Sequence, residues 1–127
     1  MKILIIDDNK HARHLVQTII SALPVETREC GDGRSALQML ETWPAEVVIV
    51  DYEMRPMDGA AFVSALRQSE RRLGRRTGIL MMTGYADEQH VYAARAAGID
   101  GLVAKPLTAG ALLSRLEQVI ERNASLS

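Results

Sequence analysis

The chain carries one cysteine, Cys30, among its 127 residues. A single thiol can build neither an internal disulfide nor a cysteine-based zinc site, so stability must come from a packed core. Aromatic residues are scarce: one Phe, one Trp and three Tyr, 4% of the chain and scattered, which supplies no platform for stacking single-stranded bases. Neither sign of charge dominates. Fifteen basic residues stand against sixteen acidic ones, a formal net charge of -1, so no overall field draws the protein toward nucleic acid or anionic lipid. Long apolar runs are absent; the longest are four residues, against the roughly 20 that span a bilayer. Met1-Lys2, four apolar residues and then two aspartates do not make a secretory signal. GxGxxG and P-loop patterns are missing, which removes the usual nucleotide cradles. These absences lead to the expectation of a cytoplasmic, single-domain protein with neither a membrane nor a nucleic-acid partner.

What is present is ordinary globular material, 47% hydrophobic and 24% charged. Four short apolar runs, Ile3 to Ile6, Val47 to Val50, Ile79 to Met82 and Leu102 to Ala104, do not alternate with polar residues. Continuous runs of this length predict strands covered on both faces, the signature of a parallel sheet between helices. A weaker fifth strand is expected over Val25 to Glu29, whose alternation suits a sheet edge. Between the runs the period becomes helical. Ala12, Leu15, Val16, Ile19, Ile20 and Leu23 form one stripe; Ala36, Leu37, Leu40 and Trp43 a second; Phe62, Val63 and Leu66 a third. Val91, Ala94 and Ala97 give a thin fourth, and Leu112, Leu116, Val119 and Ile120 the last. Asp32, Asp58, Asp87 and Thr108 stand where N-caps belong, and Pro24, Gly74, Gly78, Gly98 and Gly101 fall between elements. The expected fold is α/β, (βα)5 with about 25 residues per unit and a doubly wound five-stranded parallel sheet, spanning 1–122 and followed by a short polar tail, 123–127.

In open α/β sheets ligands bind beyond the carboxyl ends of the strands. Those positions hold Asp7 and Asp8, Asp51, Thr83 and Lys105. Any one alone has a plain explanation: an aspartate caps a helix, a threonine fills a strand, a Lys-Pro makes a turn. Their joint occurrence at the ends of predicted central strands does not. Crowded carboxylates repel, and a hard divalent cation such as Mg²⁺ is the cheapest relief. A cation, a hydroxyl and an ammonium together form a cradle for a phosphoryl group.

The sequence resembles the receiver domains of response regulators in two-component signalling, the CheY-like family, from Lys2 to about Arg122. The resemblance rests on Ile5-Ile6-Asp7-Asp8-Asn9, Val48-Ile49-Val50-Asp51, Met57-Asp58-Gly59, Met82-Thr83-Gly84 and Lys105-Pro106. It implies the strand order 2-1-3-4-5 and a phosphorylatable switch rather than an enzyme. It makes Asp51 the phosphoacceptor, charged by a histidine kinase or a histidine phosphotransfer protein. Mg²⁺ would be held by Asp7, Asp8, Asp51 and the backbone carbonyl of Glu53, while Thr83 and Lys105 would bind phosphoryl oxygens. The Lys105-Pro106 bond would be cis. A downstream protein would read the surface of the fourth helix, fifth strand and fifth helix. A monomer or weak homodimer is expected.

Three positions depart from the family's pattern. Leu102 occupies the place of its switch aromatic, and the loop proline falls one residue late, at Pro56 after Met54-Arg55. Glu53 and Tyr85, two residues after Asp51 and Thr83, are expected to flank the phosphoryl group and to tune its lifetime, Glu53 by its charge and Tyr85 by screening. Tyr85 or Tyr92 is a candidate substitute for the missing aromatic. Other features read as structural: His11 and His14 as surface polarity, His90 as a first-turn residue, Cys30 as packing, and Arg71, Arg72, Arg75 and Arg76 as a solvated helix end complementing its dipole. A relay intermediate passing phosphate to a histidine phosphotransfer protein remains open as an alternative. An aspartyl-phosphate phosphatase would want Asp where Glu53 stands, and a pseudo-receiver would not need all five site residues.

Overall fold

The computed structural model describes residues 1–126. Strands and helices alternate as β1 (Lys2–Ile6), α1 (Lys10–Ile20), β2 (Glu26–Cys30), α2 (Gly33–Thr42), β3 (Val47–Asp51), α3 (Gly59–Leu73), β4 (Gly78–Thr83), α4 (Glu88–Ala97), β5 (Gly101–Ala104) and α5 (Ala109–Leu126). The five strands form one sheet, parallel throughout, in the order β2-β1-β3-β4-β5. The sheet is parallel because each connection is a helix, and its central strands are buried on both faces.

Period-2 alternation divides the core in two. Leu4, Ile6, Val48, Val50, Ile79 and Met81 face one way and pack with Ala36, Leu40, Phe62, Val63 and Ala94 from α2, α3 and α4. Ile3, Ile5, Val47, Ile49, Leu80 and Met82 face the other way, against Val16, Ile20, Leu112, Leu116 and Val119 from α1 and α5. The four expected caps are all in place: Asp32, Asp58, Asp87 and Thr108 each accept from a backbone N–H three residues on. Asn9 caps α1 in the same way. Gly74 and Gly98 end α3 and α4 in the left-handed region that a side chain resists.

Three expectations need correction. Leu15, read as part of the buried stripe of α1, is 47% exposed, because Val16 and Ile20 point at the sheet and Leu15 falls one step around the helix. The segment read as a polar tail from Asn123 is helical to Leu126; Ser127 lies outside the described residues. Asn123 secures that last turn by accepting from Arg76 Nη1 at 2.8 Å and donating to the carbonyls of Glu46 and Arg76.

The basic cluster also divides. Arg71 and Arg72 lie in the exposed last turn of α3, but Arg75 donates to the Leu40 carbonyl and Arg76 turns inward to Asp100. Asp100, with a fully buried side chain just before β5, takes Arg76 at 2.5 Å, Arg67 at 2.9 Å, Arg122 at 3.2 Å and the Ile79 N–H at 2.8 Å. Arg67 also reaches Glu70 and the carbonyls of Thr77 and Gly98. Burial alone would raise the Asp100 carboxyl, but the Arg76, Ile79 and Arg67 contacts hold it below the usual carboxylate range. This network ties the amino ends of β4 and β5 to α3 and α5, at the edge opposite the strand ends singled out above. Asp100→Asn takes the counter-charge from partly buried Arg76 and leaves Arg67 with Glu70 alone, and should cost about 3 kcal/mol in urea unfolding. A loss within the error of extrapolation would show that the network contributes nothing to stability.

Candidate functional site

The carboxyl ends of β1, β3, β4 and β5 lie side by side because the strands pair in close register: Ile6 with Val50, Asp51 with Met82, Thr83 with Ala104. Hydrogen bonds continue past the strands and pin the site residues. The Asp7 N–H donates to the Cys30 carbonyl, that of Tyr52 to Met82, and that of Lys105 to Thr83. The alternation that sorts the core also sorts the site. Asp51 shares its face with Val47 and Ile49, Asp7 follows Ile5 by two residues, and Lys105 follows Val103 by two. All three are thereby steered toward the same side of the sheet edge.

Asp51 is 2% exposed and Asp7 1% exposed, whereas Asp8 is open to solvent. One oxygen from each of the three carboxylates can be chosen so that all lie within 4.8 Å of one another. Lys105 Nζ stands 2.7 Å from Asp51 Oδ1, an ion pair whose lysine is one-third exposed. The Lys105–Pro106 bond is cis, as expected, and so is Arg55–Pro56. Among the described residues, Asp7 Oδ2 is a buried side-chain oxygen with no hydrogen-bond donor, and the buried Asp51 Oδ1 has only the Lys105 ammonium facing it. Both belong to this cluster, and the bare Asp7 Oδ2 is a carboxylate oxygen of the kind a hard cation seeks.

The electrostatics follow from that burial. Desolvation pushes the Asp51 carboxyl up to about 6; the Asp7 and Glu53 charges add to the rise and Lys105 opposes it. Asp7 is raised for the same first reason, partly offset by the Asn9 N–H that donates to its Oδ1 at 2.9 Å. Burial works against the charge of Lys105, but Asp51, Asp7 and Glu53 hold its ammonium above the ordinary lysine value. The pocket thus stores unfavourable negative charge that one lysine only partly neutralises.

Gly59 sets the loop that follows Asp51. Its N–H donates to the Tyr52 carbonyl at 2.8 Å, and a Cβ there would strike the Asp51 carbonyl oxygen and come within 2.8 Å of Tyr52 Cα. No flexible side chain is available to yield, so Met57-Asp58-Gly59 is a steric requirement of the site as well as a helix start.

The remaining predicted residues are also at this rim. Thr83 is fully buried, and its hydroxyl donates to Glu53 Oε2 at 2.8 Å while accepting from the Tyr85 N–H at 3.0 Å. Glu53 Oε1 accepts from the Gly84 N–H at 2.9 Å. Tyr85 is 60% exposed, its ring stacked on His90 at 5.5 Å between centroids; His90 in turn meets the Tyr52 ring edge-on and contacts the Asp87 carboxylate. Leu102 packs against the core on the α4 side.

Two contributors were missed: Arg13 was not singled out, and His90 was read only as a first-turn residue. Arg13 bonds the Asp7 carbonyl at 2.6 Å and Glu29 at 3.2 Å, clamping β1 to β2 beside the site. His90 completes an aromatic rim whose members come from three separate segments. For Arg13 a signal existed, since it sits one helical turn after Asn9; for His90 there was none.

Comparison with known proteins agrees with this geometry. The family profile described as the response regulator receiver domain matches residues 3–117. Chemotaxis protein CheY of Pseudomonas aeruginosa is 34% identical over 123 residues, covering 96% of this chain and 98% of that protein. CheY-3 of Vibrio cholerae is 33% identical, covering 96% and 93%. Among solved structures, CheY4 of Vibrio cholerae superposes with a TM-score of 0.85 at 30% identity, covering 93% of this chain and 97% of that one. A response regulator from Chloroflexus aurantiacus reaches 0.87 at 25% identity, covering 95% and 98%. Fold and site together define a CheY-like regulatory phosphoacceptor domain. The chain belongs to the response regulator receiver domain family.

The raised Asp51 carboxyl carries a sign that can be measured. Its folded value of about 6 exceeds the usual 3.8, so the folded state binds this proton more tightly than the unfolded chain. The associated stability is fully present below about 4 and is lost as pH rises through about 6. Without divalent cations, Asp51→Asn should therefore be more stable than wild type at pH 7.5, by about 3 kcal/mol for a shift of about two units. The gain should shrink as pH is lowered from about 6 to 4. Chemical unfolding across that range checks it; a pH-independent difference would refute the burial argument.

Proposed function

We propose that the protein is a Mg²⁺-dependent switch charged on Asp51 by the phosphohistidine of a sensor kinase or a histidine phosphotransfer protein. One observation carries the reading: a buried carboxylate at the end of β3, crowded by two others and faced by a lysine ammonium. An Asp51 oxygen attacks phosphorus, the phosphorus–nitrogen bond to the donor's imidazole breaks, and its electron pair remains on the ring nitrogen. Lys105 neutralises charge on the transferred group, and the Thr83 hydroxyl and Gly84 N–H are donors for its oxygens. Asp7, Asp8, Asp51 and the Glu53 carbonyl would hold Mg²⁺. Bound there, the ion would balance the carboxylates and the incoming phosphoryl charge.

Docking of the donor finds support in a mainly apolar groove beside the site, lined by Ala12, Leu15, Met82, Pro106 and Leu107 and reaching Asp7 and Lys105. It gives the exposed Leu15 a use. For output, exposed Tyr92 on α4 and Tyr85 just before it favour a protein partner at the α4–β5–α5 surface. No described helix is long and apolar enough to cross a membrane.

Acetyl phosphate with Mg²⁺ should add one phosphoryl group to wild type and none to Asp51→Asn, read by intact mass. Label persisting in Asp51→Asn would move the acceptor elsewhere. Mg²⁺ alone should raise the melting temperature of wild type at pH 7.5, and Asp8→Ala should lose most of that rise. An equal rise in both would remove Asp8 from the cation site.

A further inference from the structure

The phosphoacceptor reading uses two donors for phosphoryl oxygens at the end of β4, the Thr83 hydroxyl and the Gly84 N–H. Here both are taken. Glu53 Oε2 accepts from Thr83 at 2.8 Å and Glu53 Oε1 from Gly84 at 2.9 Å, so one carboxylate bridges the pair. A carboxylate and a phosphoryl group present similar things to such donors, two or more anionic oxygens suited to charge-assisted hydrogen bonds. The Thr83 hydroxyl has one proton, and it cannot be given to Glu53 and to a phosphoryl oxygen at once. The Gly84 N–H has one as well.

We propose that Glu53 is a built-in competitor of the phosphoryl group: its carboxylate occupies the oxyanion cradle in the resting protein and must swing out before Asp51 can be stably charged. This rests on the phosphoacceptor reading of Asp51 and adds a regulatory part to the same site. Three further observations support it. Glu53 is half-buried and sits on the loop after β3, so rotation about its side-chain bonds brings it to solvent with no movement of the sheet. Its carboxylate belongs to the negative charge that disfavours ionised Asp51, so expelling it relieves the pocket as charge arrives. Thr83, by contrast, is fully buried and held by the Tyr85 N–H, so the donor stays fixed while the acceptors exchange. A resident anion raises the affinity that any phosphoryl group needs and so sets a threshold for switching. Glu53 acts through the donors it occupies and is a positioning residue, with no part in bond making.

Beryllofluoride with Mg²⁺, an acyl-phosphate analogue, separates this role from a merely structural tether between the two loops. Its affinity is measured by calorimetry for wild type, Glu53→Ala, Glu53→Gln and Asp51→Asn, and the Gly84 amide resonance is followed in each ligand-free protein. Competition predicts about tenfold tighter binding by Glu53→Ala, the equivalent of about 1.4 kcal/mol. Glu53→Gln, which keeps one acceptor, should fall between. The Gly84 amide should move upfield in ligand-free Glu53→Ala and should show no such difference once beryllofluoride is bound. Equal or weaker binding by Glu53→Ala, with wild type binding normally, overturns the competitor while leaving the phosphoacceptor intact. Binding by none of the proteins with a Glu53-dependent Gly84 amide overturns the phosphoacceptor reading itself and the competitor with it. Binding retained by Asp51→Asn also overturns the phosphoacceptor reading, and an unchanged Gly84 amide in Glu53→Ala overturns the contact.

Discussion

Everything at this site depends on holding the carboxylates of Asp7 and Asp51 out of water with too little positive charge nearby. Burial penalises their ionised forms, the Asp7 charge adds to the penalty on Asp51 and the Asp8 charge to that on Asp7, while the Lys105 ammonium compensates only in part. The protein tolerates this because the rest of the chain over-determines the position of each group. Both residues follow runs of apolar side chains with no exposed surface, and their neighbours' backbone groups are bonded across the sheet. A charge that cannot move away is one that a bound cation could relieve. Local instability at the strand ends is therefore the property from which chemistry follows.

The fold supplies that rigidity at two edges in different ways. At the amino ends of β4 and β5, Asp100 is surrounded by arginines and a backbone donor, so its negative charge is satisfied and its carboxyl lies low. At the carboxyl ends, Asp51 has the same charge and comparable burial, yet its carboxyl lies high. The contrast comes from partners alone. Where guanidinium groups and N–H donors converge, a buried aspartate is a fastener; where other carboxylates converge, its charge is left only partly balanced.

Much of this was legible in the sequence because it follows from local rules. Continuous apolar runs located four strands to within a residue, and the edge strand was shifted by only one, to Glu26–Cys30. Asp7, Asp8, Asp51, Thr83 and Lys105 could be placed together because strand ends in a parallel sheet share an edge. What escaped depended on rotamers and on distant pairs. Leu15 differs from Val16 by one step around a helix, which a stripe of mixed apolar residues does not resolve. Arg76 follows a helix and looks solvated until Asp100, 24 residues on, is found beneath it. Helix α5 outruns its apolar stripe because Asn123 is bonded to backbone from two other segments, a tertiary reward invisible in local propensity.

The Glu53 contact belongs to the same class, and it bears on the proposed switch, in which Leu102 stands where the family resemblance places an aromatic. A leucine side chain has no polar group to exchange, and Leu102 is packed against the core. The exchangeable elements at this rim are hydrogen bonds: one hydroxyl proton on Thr83, one N–H on Gly84, and the anion that receives them. On the proposed reading, two anions competing for one pair of donors are linked reciprocally, so whatever holds Glu53 in place would weaken the charged form of Asp51 by the same factor. Tyr85 is coupled to that choice through its own N–H on Thr83 and through its ring on His90 at the start of α4. Alternation at a single cradle thus reaches the helix that borders the outer surface through contacts already in place. For the proposed switch, a resident carboxylate with a stacked Tyr–His pair would couple the site to that surface without an aromatic at Leu102.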